Sequence, residues 1–275
     1  HKYEIIFIND GSTDDTFAEL EKVYKAHKNI RVITFSRNFG KEAAISAGID
    51  YSHGDALIPI DIDLQDPPEL IINFIKFWQD GYDVVYGIRK DRSLDSVGKR
   101  ITSRLFYAVF NKISKTKIPY NVGDYSLIDR KVIDIIKILP ERNRFMKGLF
   151  SWVGFKSIGI PYKRPERISG ETKWSYWKLW NFSIDGITSF STAPLKVWMY
   201  IGGVISSISF CYALLLIIKV SISGVDVPGY TSTLVAILFL GGLQLLVLGI
   251  YGEYLGRIYE ESKSRPIYIL DSILD

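Results

Sequence analysis

Asp61-Ile62-Asp63-Leu64-Gln65-Asp66-Pro67-Pro68 sets three carboxylates and an amide at the end of an apolar run. That run, Ala56-Leu57-Ile58-Pro59-Ile60, reads as a buried strand bounded by Gly54 and by the paired prolines. In an extended chain, residues two apart face the same side, about 6.5–7 Å apart. Asp61, Asp63 and Gln65 are therefore expected to face one crevice. Hard oxygen donors of this kind suit Mg²⁺ or Mn²⁺, which keep waters and share substrate phosphates. The same residues also describe a solvated turn entering the helix that starts near Pro68, so the cluster alone decides nothing. A second polar group, Asn9-Asp10-Gly11-Ser12-Thr13-Asp14-Asp15, follows an earlier apolar strand. A glycine-containing turn there can bring backbone N–H groups to a phosphate, and Asp10 can accept from a base or ribose. Such clusters are equally common as plain caps and turns.

Basic residues form two further groups. Arg89, Lys99, Arg100 and Arg104 precede the second half of the chain, and Arg164, Arg167 and Lys173 lie just before its hydrophobic part. Guanidinium forks bind phosphate bidentately, so these groups can hold a lipid phosphate at a bilayer surface. The alternative is diffuse attraction to anionic lipid, about 1 kcal/mol per residue. Asp124, after Gly123, is either a placed carboxylate or a turn residue before the strand Tyr125–Ile128. Asp129 reads as a helix N-cap.

The elements that would position these groups alternate. Strands are expected at Tyr3–Ile8, Arg31–Phe35, Ala56–Ile60 and Val84–Tyr86, with helices at Thr16–His27, Glu42–Tyr51 and Glu69–Gln79. Repeated strand–helix units predict an α/β fold with a doubly wound, mostly parallel sheet. Ligands of such sheets sit beyond the carboxyl ends of the strands, where Asp10, Asp61 and Asp63 fall. The chain opens directly in a strand, so a preceding strand and helix are expected.

Hydrophobic residues make up 47% of the 275, and mean hydropathy is positive at +0.10. Two uncharged runs, Val197–Ile218 and Thr231–Gly252, account for the excess. Each is about 22 residues long, and about 20 suffice to cross a bilayer as a helix; buried core helices are the alternative. The connecting loop Ser221–Tyr230 has no Lys or Arg, while Lys196, Arg257, Lys263 and Arg265 flank the outer ends. Basic flanks stay cytoplasmic, which places both termini and the N-terminal region there. Trp174, Trp177, Trp180, Ile184, Ile187 and Phe190 recur at near-helical spacing with Lys173 and Lys178 beside them, predicting an amphipathic helix in the membrane interface. The other reading is ordinary core packing. The single cysteine, Cys211, permits no intrachain disulfide. A net charge of +4, with no zinc-ligand spacing or base-stacking motif, argues against nucleic acid. Gly202-Gly203, Gly241-Gly242 and Gly249 allow close helix packing and hence a homo-oligomer.

Taken together, N-D-G-S-x-D and D-x-D-L-Q-D-P-P resemble the family-2 inverting glycosyltransferases, specifically the polyprenyl-phosphate branch with dolichol-phosphate mannose synthase and the bacterial bactoprenol glucosyltransferases. The resemblance extends through Ser36-Arg37-Asn38-Phe39-Gly40-Lys41, Tyr86-Gly87-Ile88-Arg89, Asn121-Val122-Gly123-Asp124-Tyr125, Arg144-Phe145-Met146-Lys147-Gly148 and Arg167-Ile168-Ser169-Gly170-Glu171-Thr172-Lys173 to the two C-terminal runs. Two departures stand out: Asn9 occupies a position where Asp is frequent, and the family's first P-x-x-N-E segment would precede His1. The resemblance implies a GT-A-like nucleotide-sugar domain over residues 1–165, interface helices over 166–195, two transmembrane helices over 196–256 and a cytoplasmic tail over 257–275. It implies that a UDP-sugar diphosphate and Mg²⁺ or Mn²⁺ meet at Asp61, Asp63 and Gln65. Asp10 would hold the nucleoside, and Lys41 would join the nucleotide pocket unless it is simply a surface lysine. Arg89, Arg100, Ser103 and Arg104 would bind the lipid phosphate together with Arg164, Arg167 and Lys173, and Asp124 would act as base or orienting group beside Asp63 and Arg100. The expected reaction is transfer of glucose from a UDP-sugar to undecaprenyl phosphate at the cytoplasmic membrane face. The alternatives are a mannosyl- or aminosugar-transferring relative, or a non-catalytic membrane protein that binds or translocates lipid-linked sugar.

Overall fold

A computed structural model describes residues 2–63, 65–90, 97–163, 176–223 and 229–275. The chain forms two compact units, one from His1–Phe190 and Ser264–Asp275, the other from Ser191–Lys263. The first unit opens with β1 (Ile5–Asn9), α1 (Thr16–Ala26) and β2 (Ile30–Phe35), a strand–helix–strand in which β1 and β2 pair in parallel. In β2, Val32, Ile33, Thr34 and Phe35 are all buried, the near-continuous pattern of a strand covered on both faces. The following helix, α2 (Lys41–Tyr51), packs Ala43 and Ala47 on Ile33 and Phe35. These small side chains let the helix approach closely and bring its first residues beside the strand ends.

A second sheet follows, from β3 (Ala56–Leu57), α3 (Leu70–Gln79), β4 (Val84–Arg89), α4 (Val97–Ile113), β5 (Val122–Asp129), α5 (Arg130–Ile138), α6 (Met146–Trp152) and β6 (Ser157–Tyr162). Its strand order is β3-β5-β4-β6. Ile128, Val132, Ile133, Ile136 and Met146 form the core that locks α5 and α6 onto β5. Asp129 caps α5 as its sequence position predicts, accepting from Lys131 N–H at 2.9 Å.

The expectation of a mostly parallel, doubly wound sheet needs correction. Parallel pairing holds for β1–β2 and β4–β6, whereas β5 runs antiparallel to both β3 and β4. The cause is α4. It returns the chain to the end of β4 that it left, so Val122 pairs with Ile88 and Ile128 with Val84. Asn121 makes the entry to β5 with φ +60°, a left-handed conformation that Asn tolerates. The strand expected over Ala56–Ile60 also pairs only at Ala56 and Leu57, because Pro59 has no N–H to continue the ladder. Beyond it, Ile62 and Asp63 form a turn rather than an extended continuation of the strand.

α7 (Tyr176–Phe190) supplies Ile187 and Phe190 to a cluster with Tyr107, Phe110, Ile118 and Phe145. This end of the helix is thus core-packed; Trp174 and the Trp177 and Trp180 side chains lie outside the described residues. The second unit is two long helices, α8 (Ala193–Ser223) and α9 (Tyr230–Ser262), of 31 and 33 residues. Each contains a stretch long and apolar enough to cross a membrane, Ala193–Tyr212 and Phe239–Ser262. Within this unit the Tyr254 hydroxyl donates to the Ser191 carbonyl at 2.7 Å.

The last segment rejoins the first unit as β7 (Leu270–Leu274), antiparallel to β2. Its alternating half-buried and exposed residues are those of an edge strand. Just before it, Tyr268 stacks on Phe35 with centroids 4.9 Å apart and donates its hydroxyl to Asp50 at 2.7 Å. Arg31 of β2 pairs with the Asp275 carboxylate.

Candidate active site

The ends of β1, β2, β3 and β5 present most of the polar residues singled out above. After β1, Asn9 Oδ1 accepts from Ser12 N–H at 3.1 Å and turns the chain. Gly11 has φ +64°, and a Cβ there would stand 2.6 Å from Arg37 Cα, so the turn needs glycine. Asp10 is bound to the loop before α2: Oδ1 accepts from Phe39 N–H at 2.6 Å and Oδ2 from Gly40 N–H at 2.9 Å. Asn38 Nδ2 adds a bond to the Asp10 carbonyl at 3.3 Å. Asp10 therefore fixes where α2 begins, while each carboxylate oxygen keeps a second lone pair for a ligand.

Lys41, the first residue of α2, is exposed yet engaged by two carboxylates. Its ammonium lies 2.8 Å from Asp61 Oδ2 and 2.7 Å from Asp124 Oδ2, bridging the loop after β3 to β5. Burial alone would lower the Lys41 pKa; Asp124 and then Asp61 outweigh it and hold the ammonium above the ordinary lysine value. Lys147, on the first turn of α6, stands 3.7 Å from the other oxygen of Asp124. Burial pushes the Asp124 carboxyl up, but Lys147, Lys41 and Arg89 pull it down to about 2. Asp124 is thus a fixed anion at neutral pH. A general base works best with a pKa near the operating pH, and Asp124 is far from that.

Arg89 belongs to the same group, with its Nη2 3.3 Å from where a Cβ on Gly123 would stand. A larger residue at 123 would push the guanidinium away from Asp124. On the other side, Asp66 is buried and accepts from the Tyr162 hydroxyl at 2.5 Å, while the Tyr125 hydroxyl donates to the Pro67 carbonyl at 2.7 Å. Burial, reinforced by Asp66, pushes the Tyr162 phenol up to about 12. The third acid of the cluster is therefore a fastening for the turn. Asp63 Oδ1 accepts from Gln65 N–H at 3.2 Å, and Asp61, Asp63 and Gln65 are all half-buried.

Among the described residues no three His, Cys, Asp or Glu side chains stand together as a metal cage. The donor chemistry nevertheless suits a hard cation: carboxylate and amide oxygens, few in number, as for Mg²⁺ sites completed by substrate phosphates and water. Ser103 is half-buried and Arg104 exposed on α4. The Arg100 side chain and Arg164, Arg167 and Lys173 lie outside the described residues. Sequence reasoning missed Lys147 and Glu42. Lys147 stood within a family-matched motif, and Glu42 follows Lys41 directly, but only the fold brings both to Asp124.

Residues 1–136 match glycosyl transferase family 2, and residues 193–258 match the GtrB C-terminal hairpin. The chain is also 52% identical to the bactoprenol glucosyl transferase of Shigella phage SfX, covering 99% of this chain and 89% of that protein. The chain belongs to glycosyl transferase family 2. A prophage bactoprenol glucosyl transferase homolog of Escherichia coli (strain K12) is 50% identical over 99% of this chain and 89% of its own. An uncharacterized glycosyltransferase of Synechocystis sp., sll0501, is 55% identical over 98% of this chain and 85% of its own. The acids and cations around Asp124 are the candidate site of this family member.

Proposed function

We propose that this family-2 glycosyltransferase moves glucose from UDP-glucose to a polyprenyl phosphate, undecaprenyl phosphate in a bacterial membrane, with inversion at the anomeric carbon. The observation that carries the reading is the Asp124 carboxylate set between Lys41 and Lys147, with Asp61 on the same Lys41 ammonium. The names of the phage and prophage relatives support the sugar and the lipid. The two apolar helices support a membrane location, with the first unit on the cytoplasmic side where nucleotide sugars are found.

In this reaction an oxygen of the lipid phosphate attacks the anomeric carbon as the bond from that carbon to the UDP oxygen breaks, and UDP leaves with the bonding pair. A phosphate monoester has a second pKa near ~6 and is mostly dianionic at pH 7, so no proton has to be taken from it. Asp124 does not serve as base. It holds Lys41 and Lys147 in place, and these cations with Arg89 face the incoming phosphate and the departing diphosphate. Asp61, Asp63 and Gln65 would hold the divalent cation, whose charge stabilises the diphosphate leaving group. Arg100 and the basic residues before α7 would hold the lipid phosphate.

The test is transfer of radiolabelled sugar to undecaprenyl phosphate by the full chain in detergent or nanodiscs, with and without EDTA. Mass spectrometry of the lipid product from a panel of nucleotide sugars identifies the sugar. A glucosyl product, lost with EDTA, is expected. A mannosyl or aminosugar product would correct the donor, and binding of lipid-linked sugar without turnover of any donor would overturn the enzymatic reading.

A further inference from the structure

A half-buried acid stands beside the site. Glu42, the second residue of α2, lines a cavity of about 210 Å³ shared with Phe39, Arg142, Arg144, Phe145 and Asp185. Its Oε2 accepts from the backbone N–H of Met146 at 3.0 Å, across 104 residues of sequence. Met146 is fully buried and opens α6, and the next residue is Lys147. Two consecutive residues of α2 therefore hold the two sides of the site. Lys41 reaches Asp124 directly, while Glu42 holds the helix start from which Lys147 reaches it.

We propose that Glu42 is a positioning residue for sugar transfer: its hydrogen bond to Met146 N–H sets α6 so that Lys147 stands on the second oxygen of Asp124. The inference rests on reading the surroundings of Asp124 as the transfer site. Three features support it. The first turn of α6 has an exposed-donor problem common to helix starts, and at Met146 N–H the solution comes from Glu42 on another element. A small rotation of α6 moves an ammonium 3.7 Å from its partner by a large fraction of that distance, so the Lys147–Asp124 pair depends on how α6 is anchored. The charges facing Glu42 are mixed, four cations and two anions: Asp124 from β5, Lys147 from α6, Lys41 from its own helix, and Arg142, Arg144 and Asp185 around the cavity. Burial and then Asp124 push the Glu42 carboxyl up to about 7, so near neutrality it accepts a hydrogen bond as readily as it carries charge. That is the behaviour of an acceptor kept for geometry.

The test compares Glu42→Gln, Glu42→Asp and Glu42→Ala in the full chain. Gln keeps an acceptor at the same reach without the charge, Asp keeps the charge without the reach, and Ala keeps neither. Glu42→Gln is expected to retain most of kcat. Glu42→Ala and Glu42→Asp are expected to lose kcat by roughly 10-fold or more, as for a lost buried hydrogen bond, with the donor KM little changed. Hydrogen–deuterium exchange gives a readout that needs no activity: the 144–152 segment is expected to lose protection in the Ala and Asp variants and keep it in the Gln variant. Equal kcat losses in Gln and Ala, or activity retained in Asp but not in Gln, would make the charge the requirement and overturn the proposal. Unchanged exchange at 144–152 in the Ala variant would overturn it as well. If wild type transfers no sugar while the exchange pattern holds, the functional reading fails and the anchoring of α6 by Glu42 stands.

Discussion

Asp124→Asn separates an orienting acid from a base. The fall of the Asp124 pKa from an ordinary 3.8 to about 2 corresponds to about 2.5 kcal/mol of preference for the ionised form, at about 1.4 kcal/mol per pH unit. The carboxylate is only 14% exposed, so little of this is screened by water. Because the folded pKa is depressed, that stabilisation is complete above pH 4 and is lost as pH falls through about 2. Through the whole range in which transfer is assayed, Asp124 is charged and invariant. Replacing it with Asn keeps the shape and one acceptor but leaves Lys41 and Lys147 short of their counter-ion. A charge-assisted contact is worth about 1.5–3 kcal/mol, so kcat is expected to fall roughly 10- to 150-fold while remaining measurable. The assay is kcat for lipid-linked sugar formation between pH 5 and 8 in wild type and variant. Both profiles are expected to follow one ionisation near ~6, that of the lipid phosphate. Complete loss of turnover in Asp124→Asn, together with a wild-type ionisation absent from the lipid phosphate titrated alone, would refute the reasoning and make Asp124 the base.

Three other outcomes are expected. Asp63→Ala abolishes transfer and metal-dependent nucleotide binding while circular dichroism and melting stay near wild type; full activity in the purified variant would remove the metal assignment. Arg100→Ala weakens use of the lipid phosphate by about 10-fold or more, and Arg100→Lys recovers only part, since a point charge replaces a planar fork. An unchanged lipid KM and kcat would move the acceptor site to Arg164, Arg167 and Lys173. In a Cys211→Ser background, Ser223→Cys is expected to react with an impermeant maleimide added outside intact cells. Reaction only after permeabilisation would reverse the orientation.

Much of the site's composition was legible in the chain because short-range rules govern it. Prolines bound the acidic cluster after β3, Gly11 lets the chain turn after β1, and Asp129 caps α5, each for reasons confined to a few residues. The βα pattern correctly marked the β1–α1–β2 unit and the ends at which polar residues gather. The direction of β5 was not legible, because periodicity reports which face of a strand is buried and says nothing of which way it runs; α4 settles that by returning the chain to the end of β4. β7 was equally hidden. Leu270–Leu274 has few residues and pairs with β2, more than 200 positions away, across two long apolar helices.

The sequence by itself determined which chemical groups are present, the local turns that hold them and the two runs long enough to span a bilayer, since all of these depend on neighbours along the chain. Only the tertiary structure decided which groups meet. Lys41 joins Asp61 to Asp124, Lys147 faces the same carboxylate from α6, Asp66 is withdrawn to bond Tyr162, and Glu42 anchors Met146. The physical reason is that a carboxylate's role depends on its surroundings. Burial among three cations leaves Asp124 a permanent anion, whereas burial beside that anion leaves Glu42 poised near neutrality, and neither environment exists until β5, α2 and α6 have packed together.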